Sequence, residues 1–253
     1  MRGAHGAERL AGAAGGRLTV VLAPAKLTVS LRVTGLRADG YHLLDAEMVS
    51  LDLADELTFG PGWGLEVVEG RHLGYVDPHD NLVGRALKAV GREAFVQLAK
   101  RIPAGGGLGG GSSNAAAVMR WAGCDDLSVA ESLGADVPFC LHGGRARVQG
   151  IGEILSPLPF VARTITLAMP PYGCSTPAVY AAWDALGGPT ADGPNDLEPA
   201  ALVVEPRMAA FRDELGSATG QTPQLAGSGS TWFVEGTHPG PGRIVAHTIP
   251  AYY

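Results

Sequence analysis

Between Arg101 and Ala117 the chain reads RIPAGGGLGGGSSNAAA, with glycine at six of the seven positions from Gly105 to Gly111. A stretch with almost no Cβ atoms is a poor strand or helix interior, but its backbone can take positive φ and come close to another group. Ser112, Ser113 and Asn114 follow where a helix would begin, and each is a competent N-cap for the helix-forming run Ala115–Trp121. A glycine loop that leads into a helix N-terminus favours an anion, because unpaired N–H groups and the helix dipole both attract negative charge. The two serine hydroxyls can reach phosphate oxygens or a bound Mg2+. A flexible linker is the plainer reading, yet such linkers are polar at both ends. This one joins the apolar strand Phe95–Leu98 to an Ala-rich helix. No Gly-Lys-Ser/Thr follows, so it is not a Walker A loop. No acidic residue stands about 20 residues on at a strand end, as a dinucleotide fingerprint needs.

The remaining composition narrows the class. Glycine totals 37 of 253 residues, roughly twice the usual share of about 7%. With 46% hydrophobic and 17% charged residues the chain still holds enough apolar material for a core. A formal charge of -6 argues against a nucleic-acid surface, which usually needs a basic face. Cys124, Cys140 and Cys174 are odd in number and lack CxxC spacing, so a disulfide framework or zinc site is not expected and a reducing cytoplasm is the default. The histidines have no HxxxH or HxxH spacing, and Gly227-Ser228-Gly229 does not make a GxSxG nucleophile elbow. No apolar run approaches the ~18 residues of a membrane helix. Met1–Arg17, rich in Gly and Ala and without an apolar core, reads as a disordered extension.

Leu18–Val33 is expected to form strands interrupted at Pro24, Met48–Phe59 a strand pair or meander, and Asn81–Gly91 a helix. Gly134–Leu141 reads as loop, Ile165–Met169 as strand, and Leu225–Glu235 as a glycine turn entering a strand. Mixed elements without strict βαβ alternation favour an α+β fold. Several side chains stand out against this background. Lys26 is a lone cation in an apolar segment, either an edge residue or a functional one. Asp136, between Ala135 and Val137, is either a turn cap or a general base partnered by Lys26. Tyr41 and His42 follow the Asp39-Gly40 turn and can cap it or stack on a heterocycle. Gly227–Thr231 is a hairpin turn or a second amide-rich loop.

The order of these pieces is more specific than any one of them. Pro24-Ala25-Lys26, Asp39-Gly40-Tyr41-His42, Pro103–Asn114, Gly134-Ala135-Asp136-Val137-Pro138-Phe139, Asn195-Asp196-Leu197-Glu198-Pro199 and Gly227–Thr231 together resemble the GHMP kinase superfamily. Within it, the chain is similar to the 4-diphosphocytidyl-2-C-methyl-D-erythritol kinase family of the non-mevalonate isoprenoid pathway. The resemblance implies a two-domain fold: an N-terminal unit like ribosomal protein S5 domain 2 over residues 18–157, and a ferredoxin-like C-terminal unit over 158–253. It implies a cytoplasmic monomer or homodimer that uses ATP and Mg2+ on a small molecule carrying a cytidine diphosphate, with no nucleic-acid or membrane partner. Asp136 would be the base and Lys26 its partner. Pro103, Ala104, Gly105, Gly106, Gly107, Leu108, Gly109, Gly110, Gly111, Ser112, Ser113 and Asn114 would wrap the ATP phosphates, with Ser112 a candidate Mg2+ ligand. Thr28, Tyr41, His42, Asp136, Gly227, Ser228 and Gly229 would meet the substrate. Thr28 departs from the Asn usual in the family, and Asn114 stands where many members have Asp. A homoserine- or mevalonate-type kinase, or a non-catalytic nucleotide-binding relative, are the alternatives.

Overall fold

The computed structural model describes residues 18–70 and 73–252; the extension expected at residues 1–17 lies outside them. Two long strands, β1 (Thr19–Leu36) and β2 (His42–Gly60), form an antiparallel ribbon around the Asp39-Gly40 turn. Neither is broken as expected. Pro24 lies at a register shift between Pro24 and Lys26, so the strand runs past a residue with no ladder N–H to give. Met48–Phe59 lies within one strand, and its two aspartates have partners on either side. Asp52 accepts the His247 N–H, and Asp55 accepts those of Arg101 and Ile102.

β3 (Gly64–Glu69), β4 (Gly74–Val76) and β5 (Phe95–Ala99) extend the sheet on one side of β2. β6 (Arg145–Gly150) also pairs with β2, and β7 (Ile154–Pro157) pairs with β6. After residues 158–163, β8 (Thr164–Ala168), β9 (Gln224–Leu225) and β10 (Trp232–Glu235) form a second group. β11 (Arg243–Ile249) joins the two groups, pairing with β8 along Arg243–His247 and with β2 through Thr248 and Ile249. The fold is α+β, as expected.

The helices bear out some expectations and correct others. α1 (Leu82–Ala89) is capped by the Asn81 side chain on the Val83 N–H. α2 (Gly110–Ala122) begins five residues before Ala115, the start expected from composition. Its N-cap is Gly109 at φ 66°, so Ser112, Ser113 and Asn114 sit inside the helix and cap nothing. α3 (Leu127–Leu133) is capped by Asp126. The segment expected to be loop contains α4 (Val137–His142), with Pro138 in its first turn, where a missing N–H costs nothing. Pro177 and Pro199 likewise sit in the first turns of α5 (Thr176–Ala185) and α6 (Glu198–Val204). α7 (Met208–Thr219) completes the second half.

A large core under α2 and α4 includes Leu57, Phe59, Val118 and Phe139. A smaller one holds Leu27, Leu51, Leu167 and Phe233, together with Ile102 and Leu108. Burial lifts the Cys140 thiol in α4 from 9.0 to about 12, and lifts the Tyr252 phenol beside it from 10.0 to about 12. Both groups stay protonated in the folded chain at a pH where the unfolded chain has released the proton. Their stabilising contribution is therefore complete below pH 9.0 and is lost as pH climbs towards about 12. Denaturant midpoints should fall over that window, and Cys140→Ala should flatten its lower part. A wild-type midpoint that holds level would contradict the burial of both groups.

Candidate active site

Lys26 leaves β1 at the register shift beside Pro24, and only 6% of its surface is exposed. Its Nζ lies 3.2 Å from an Asp136 carboxylate oxygen and donates to Thr28 Oγ1 at 3.2 Å. Asp136 stands at the N-cap position of α4 but accepts no capping hydrogen bond, so its carboxylate is turned to Lys26 rather than to the helix. The Lys26 side chain passes directly beneath Gly109. A Cβ on Gly109, which has φ +66°, would sit 2.6 Å from Lys26 Cγ. The Lys26 N–H donates to the Leu108 carbonyl at 3.0 Å, tying strand and loop together at this point.

The glycine loop hangs between two buried anchors, Ile102 and Leu108. Its carbonyls face the second half of the chain: that of Gly105 accepts the Cys174 N–H, and that of Gly106 the Thr231 N–H. Gly107, at φ +77°, passes so close to the Gly227–Thr231 segment that a Cβ would lie 2.4 Å from the Ala226 oxygen. The amides of Gly107 through Ser112 have no backbone partner among the described residues. The result is a concave set of N–H donors at the start of α2, suited to phosphate oxygens. Pro103, Ala104, Gly105, Gly106, Gly107, Gly109, Gly110, Gly111, Ser112 and Asn114 line the cleft. Leu108 and Ser113 do not. The Leu108 side chain is core, and Ser113 is buried with its hydroxyl donating to the Pro24 carbonyl and its N–H to Gly109. Asn114 is 3% exposed, and its Oδ1 has no partner among the described residues.

The opposite wall comes from the turn after β1 and from α5. His42 stacks on Tyr180 with ring centroids 4.7 Å apart, meets Trp183 edge-on, and bonds Asp184 through Nε2 at 2.8 Å. Burial, with a contribution from Asp136, raises the Tyr180 phenol well above its ordinary value. Tyr41 is exposed at the rim, under the Arg37 guanidinium. Gly227 and Ser228 line the cleft, and Ser228 shares a 2.7 Å hydrogen bond with Thr176. Gly229 faces Leu225 and Met208 instead, so it supports the loop without reaching the cleft. Asn195 explains part of the NDLEP motif: its amide donates to the carbonyls of Leu225 and Gly227 and so shapes that loop.

The loop, the Lys26–Asp136 pair and the His42 wall border one cleft of about 1370 Å3. Lys26, Thr28, Tyr41, His42 and Asp136 all line it. The cleft also recruits Asn81, Lys100, Arg101, Tyr180 and Asp184, which sequence reasoning passed over. Lys100 and Arg101 carried a usable signal, since two cations directly precede a glycine loop that reads as a phosphate site. Tyr180 and Asp184 carried none, because they lie in a helix that was not expected. Among the described residues no three His, Cys, Asp or Glu side chains cluster as a metal site. A divalent cation held mainly by substrate phosphates needs only one or two protein oxygens. Asp136 and Ser112 fit that lesser requirement.

Comparison with known proteins agrees with this geometry. Residues 81–144 match the family described as GHMP kinases N terminal domain. A 4-diphosphocytidyl-2-C-methyl-D-erythritol kinase of Paracoccus denitrificans is 41% identical, over 83% of this chain and 84% of its own length. The enzyme of the same name from Granulibacter bethesdensis is 36% identical, over 92% and 90% respectively. The crystal structure of a 4-(cytidine 5'-diphospho)-2C-methyl-D-erythritol kinase superposes with a TM-score of 0.70 at 30% identity, covering 91% of this chain and 99% of that one. A mevalonate kinase at 10% identity and a TM-score of 0.58 shares the fold alone. The chain belongs to the 4-diphosphocytidyl-2-C-methyl-D-erythritol kinase family of GHMP kinases.

Proposed function

We propose that this protein transfers the γ-phosphoryl group of ATP to the 2-hydroxyl of 4-diphosphocytidyl-2-C-methyl-D-erythritol, as a cytoplasmic step in isoprenoid precursor synthesis. The observation that carries the reading is the Lys26–Asp136 pair, with 3.2 Å between Nζ and the carboxylate, at the meeting point of two different surfaces. On one side is the amide-lined glycine loop, made for phosphates. On the other is the aromatic wall of His42 and Tyr180, made for a flat heterocycle.

Phosphoryl transfer asks little covalent chemistry of the protein beyond positioning and charge stabilisation. Asp136, side-chain exposure 32%, faces the cleft and accepts the proton of the acceptor hydroxyl. Lys26, fixed by Thr28 and by the loop above it, holds that carboxylate in place and offsets negative charge as it develops. The free amides of Gly107–Ser112 hold the phosphates of ATP without bringing in a further charge. Ser112 and Asp136 are cleft oxygens that would hold Mg2+, which would supply additional charge neutralisation there. His42 and Tyr41 offer a ring face and hydrogen-bonding groups to the cytosine, with Tyr180 and Trp183 behind His42. Thr28, where the family usually has Asn, spends its hydroxyl on Lys26, so the cytidine contact expected of that Asn falls to its neighbours.

Coupled ADP release measured with this substrate, homoserine and mevalonate is expected to respond to the cytidine compound alone; turnover of another acceptor in its place overturns the assignment. Asp136→Asn should lower kcat by about a hundredfold or more, the usual contribution of a positioned base. Its ATP affinity by calorimetry should stay near wild type, and unchanged turnover would remove Asp136 as the base. Gly109→Ala forces a Cβ onto Lys26 at a positive φ and should cost about a hundredfold in kcat by misplacing the ammonium. A Gly109→Ala enzyme with normal kcat would show that the Lys26 position is not critical.

A further inference from the structure

Asp55 is fully buried in β2 and belongs neither to the Lys26–Asp136 pair nor to the cleft lining. Its carboxylate nevertheless gathers three donors from the segment that enters the glycine loop. Oδ1 accepts the N–H of Arg101 and of Ile102, each at 2.7 Å, and Oδ2 holds the Lys100 ammonium. A buried carboxylate without such partners would be strongly destabilising. With them it becomes a rigid three-point clamp, since charge-assisted bonds are short and directional.

The position of the clamp matters more than its strength. Ile102 is the buried anchor on which the loop turns, and the next residue, Pro103, already lines the cleft. Lys100 also lines the cleft, and a Cβ on Gly110, the first residue of α2, would lie 2.7 Å from its Nζ. One carboxylate thus sets both the backbone path into the phosphate loop and the location of a cation beside the helix N-terminus. The opposite side of Lys100 is fixed by its own N–H, which donates to the Glu69 carbonyl at 2.7 Å.

We propose that Asp55 is a positioning residue for the ATP half of the site, acting through the amides of residues 101 and 102 and through Lys100. The inference rests on the reading of the glycine loop as the ATP site. Asp55→Asn keeps an oxygen for the two amides but loses the charge that holds Lys100. The losses should fall on ATP and leave the acceptor alone: KM for ATP and the calorimetric Kd for ATP each rise about tenfold, the scale of a lost charged hydrogen bond. KM for the cytidine substrate should stay within about twofold, because the His42 wall shares no contact with Asp55. Asp55→Glu should recover part of the ATP affinity. Should Asp55→Asn fail to fold, Lys100→Gln tests the same clamp from its exposed end and should also weaken ATP selectively.

Equal losses for both substrates, or a lowered melting temperature with unchanged ATP affinity, would make Asp55 a purely structural acid and overturn the proposal. So would Lys100→Gln with wild-type ATP binding. Wild-type protein that fails to bind ATP would instead overturn the reading of the site itself, which keeps the two failures apart.

Discussion

Lys26 reaches Asp136 only because Gly109 carries no side chain. The lysine stem fills the space where a Cβ would stand, and the same residue's N–H is taken up by Leu108. Strand, loop and helix therefore meet at one contact: β1 supplies the cation, the glycine loop covers it, and α4 presents the carboxylate. The register shift beside Pro24 supports this, because a regular ladder there would compete for the Lys26 N–H. Ser113 ties the arrangement from below, spending its hydroxyl on the Pro24 carbonyl, so α2 is fastened to the strand that carries Lys26.

The two faces of the cleft are built on different principles. The loop face is made from backbone, with amides left free and carbonyls taken by the second half of the chain through Cys174 and Thr231. The opposite face is made from side chains on α5 and the turn after β1, stacked in a small aromatic group around His42. Backbone amides recognise the charge and shape of phosphate without regard to what is attached, whereas rings and a histidine discriminate between heterocycles. Under the proposed function the general part of the reaction thus falls to the loop, and the selective part to the facing wall. β11, paired with both β2 and β8, holds the strands beneath these faces in one continuous sheet.

Much of this was legible in the residues, and the failures have physical causes. The glycine loop, Lys26 and Asp136 were readable because each breaks its local pattern: glycine where a core strand should continue, or a charge among apolar neighbours. The start of α2 was misplaced because Gly110 and Gly111 have low helix propensity. Tight packing of Gly110 against Lys100 and Ile102 overrides that propensity, since only glycine fits. Gly134–Leu141 reads as loop because Pro138 looks like a breaker, although a first helical turn accepts proline and α4 starts there. Asp55 does not stand out from the sequence. Its three partners lie more than forty residues away in sequence, beyond any local pattern.

An acidic chain that handles a polyanion looks like a contradiction, since a formal charge of -6 should repel the ligand. The cleft resolves it by keeping most of its cations engaged. Lys26 is paired with Asp136, Lys100 with Asp55, and Arg101 with Glu69. Under the proposed function, attraction of the phosphates falls to the amides of Gly107–Ser112 at the positive end of α2. Dipoles fixed in a backbone need no reorganisation when charge moves between phosphate oxygens, whereas mobile surface lysines would have to follow it. A loop dense in glycine is the form in which a protein can bring many such dipoles to one point, because each residue gives up its side chain to let the next amide approach. Under the proposed function, the loop glycines let an acidic chain meet phosphate through peptide bonds rather than through added cations.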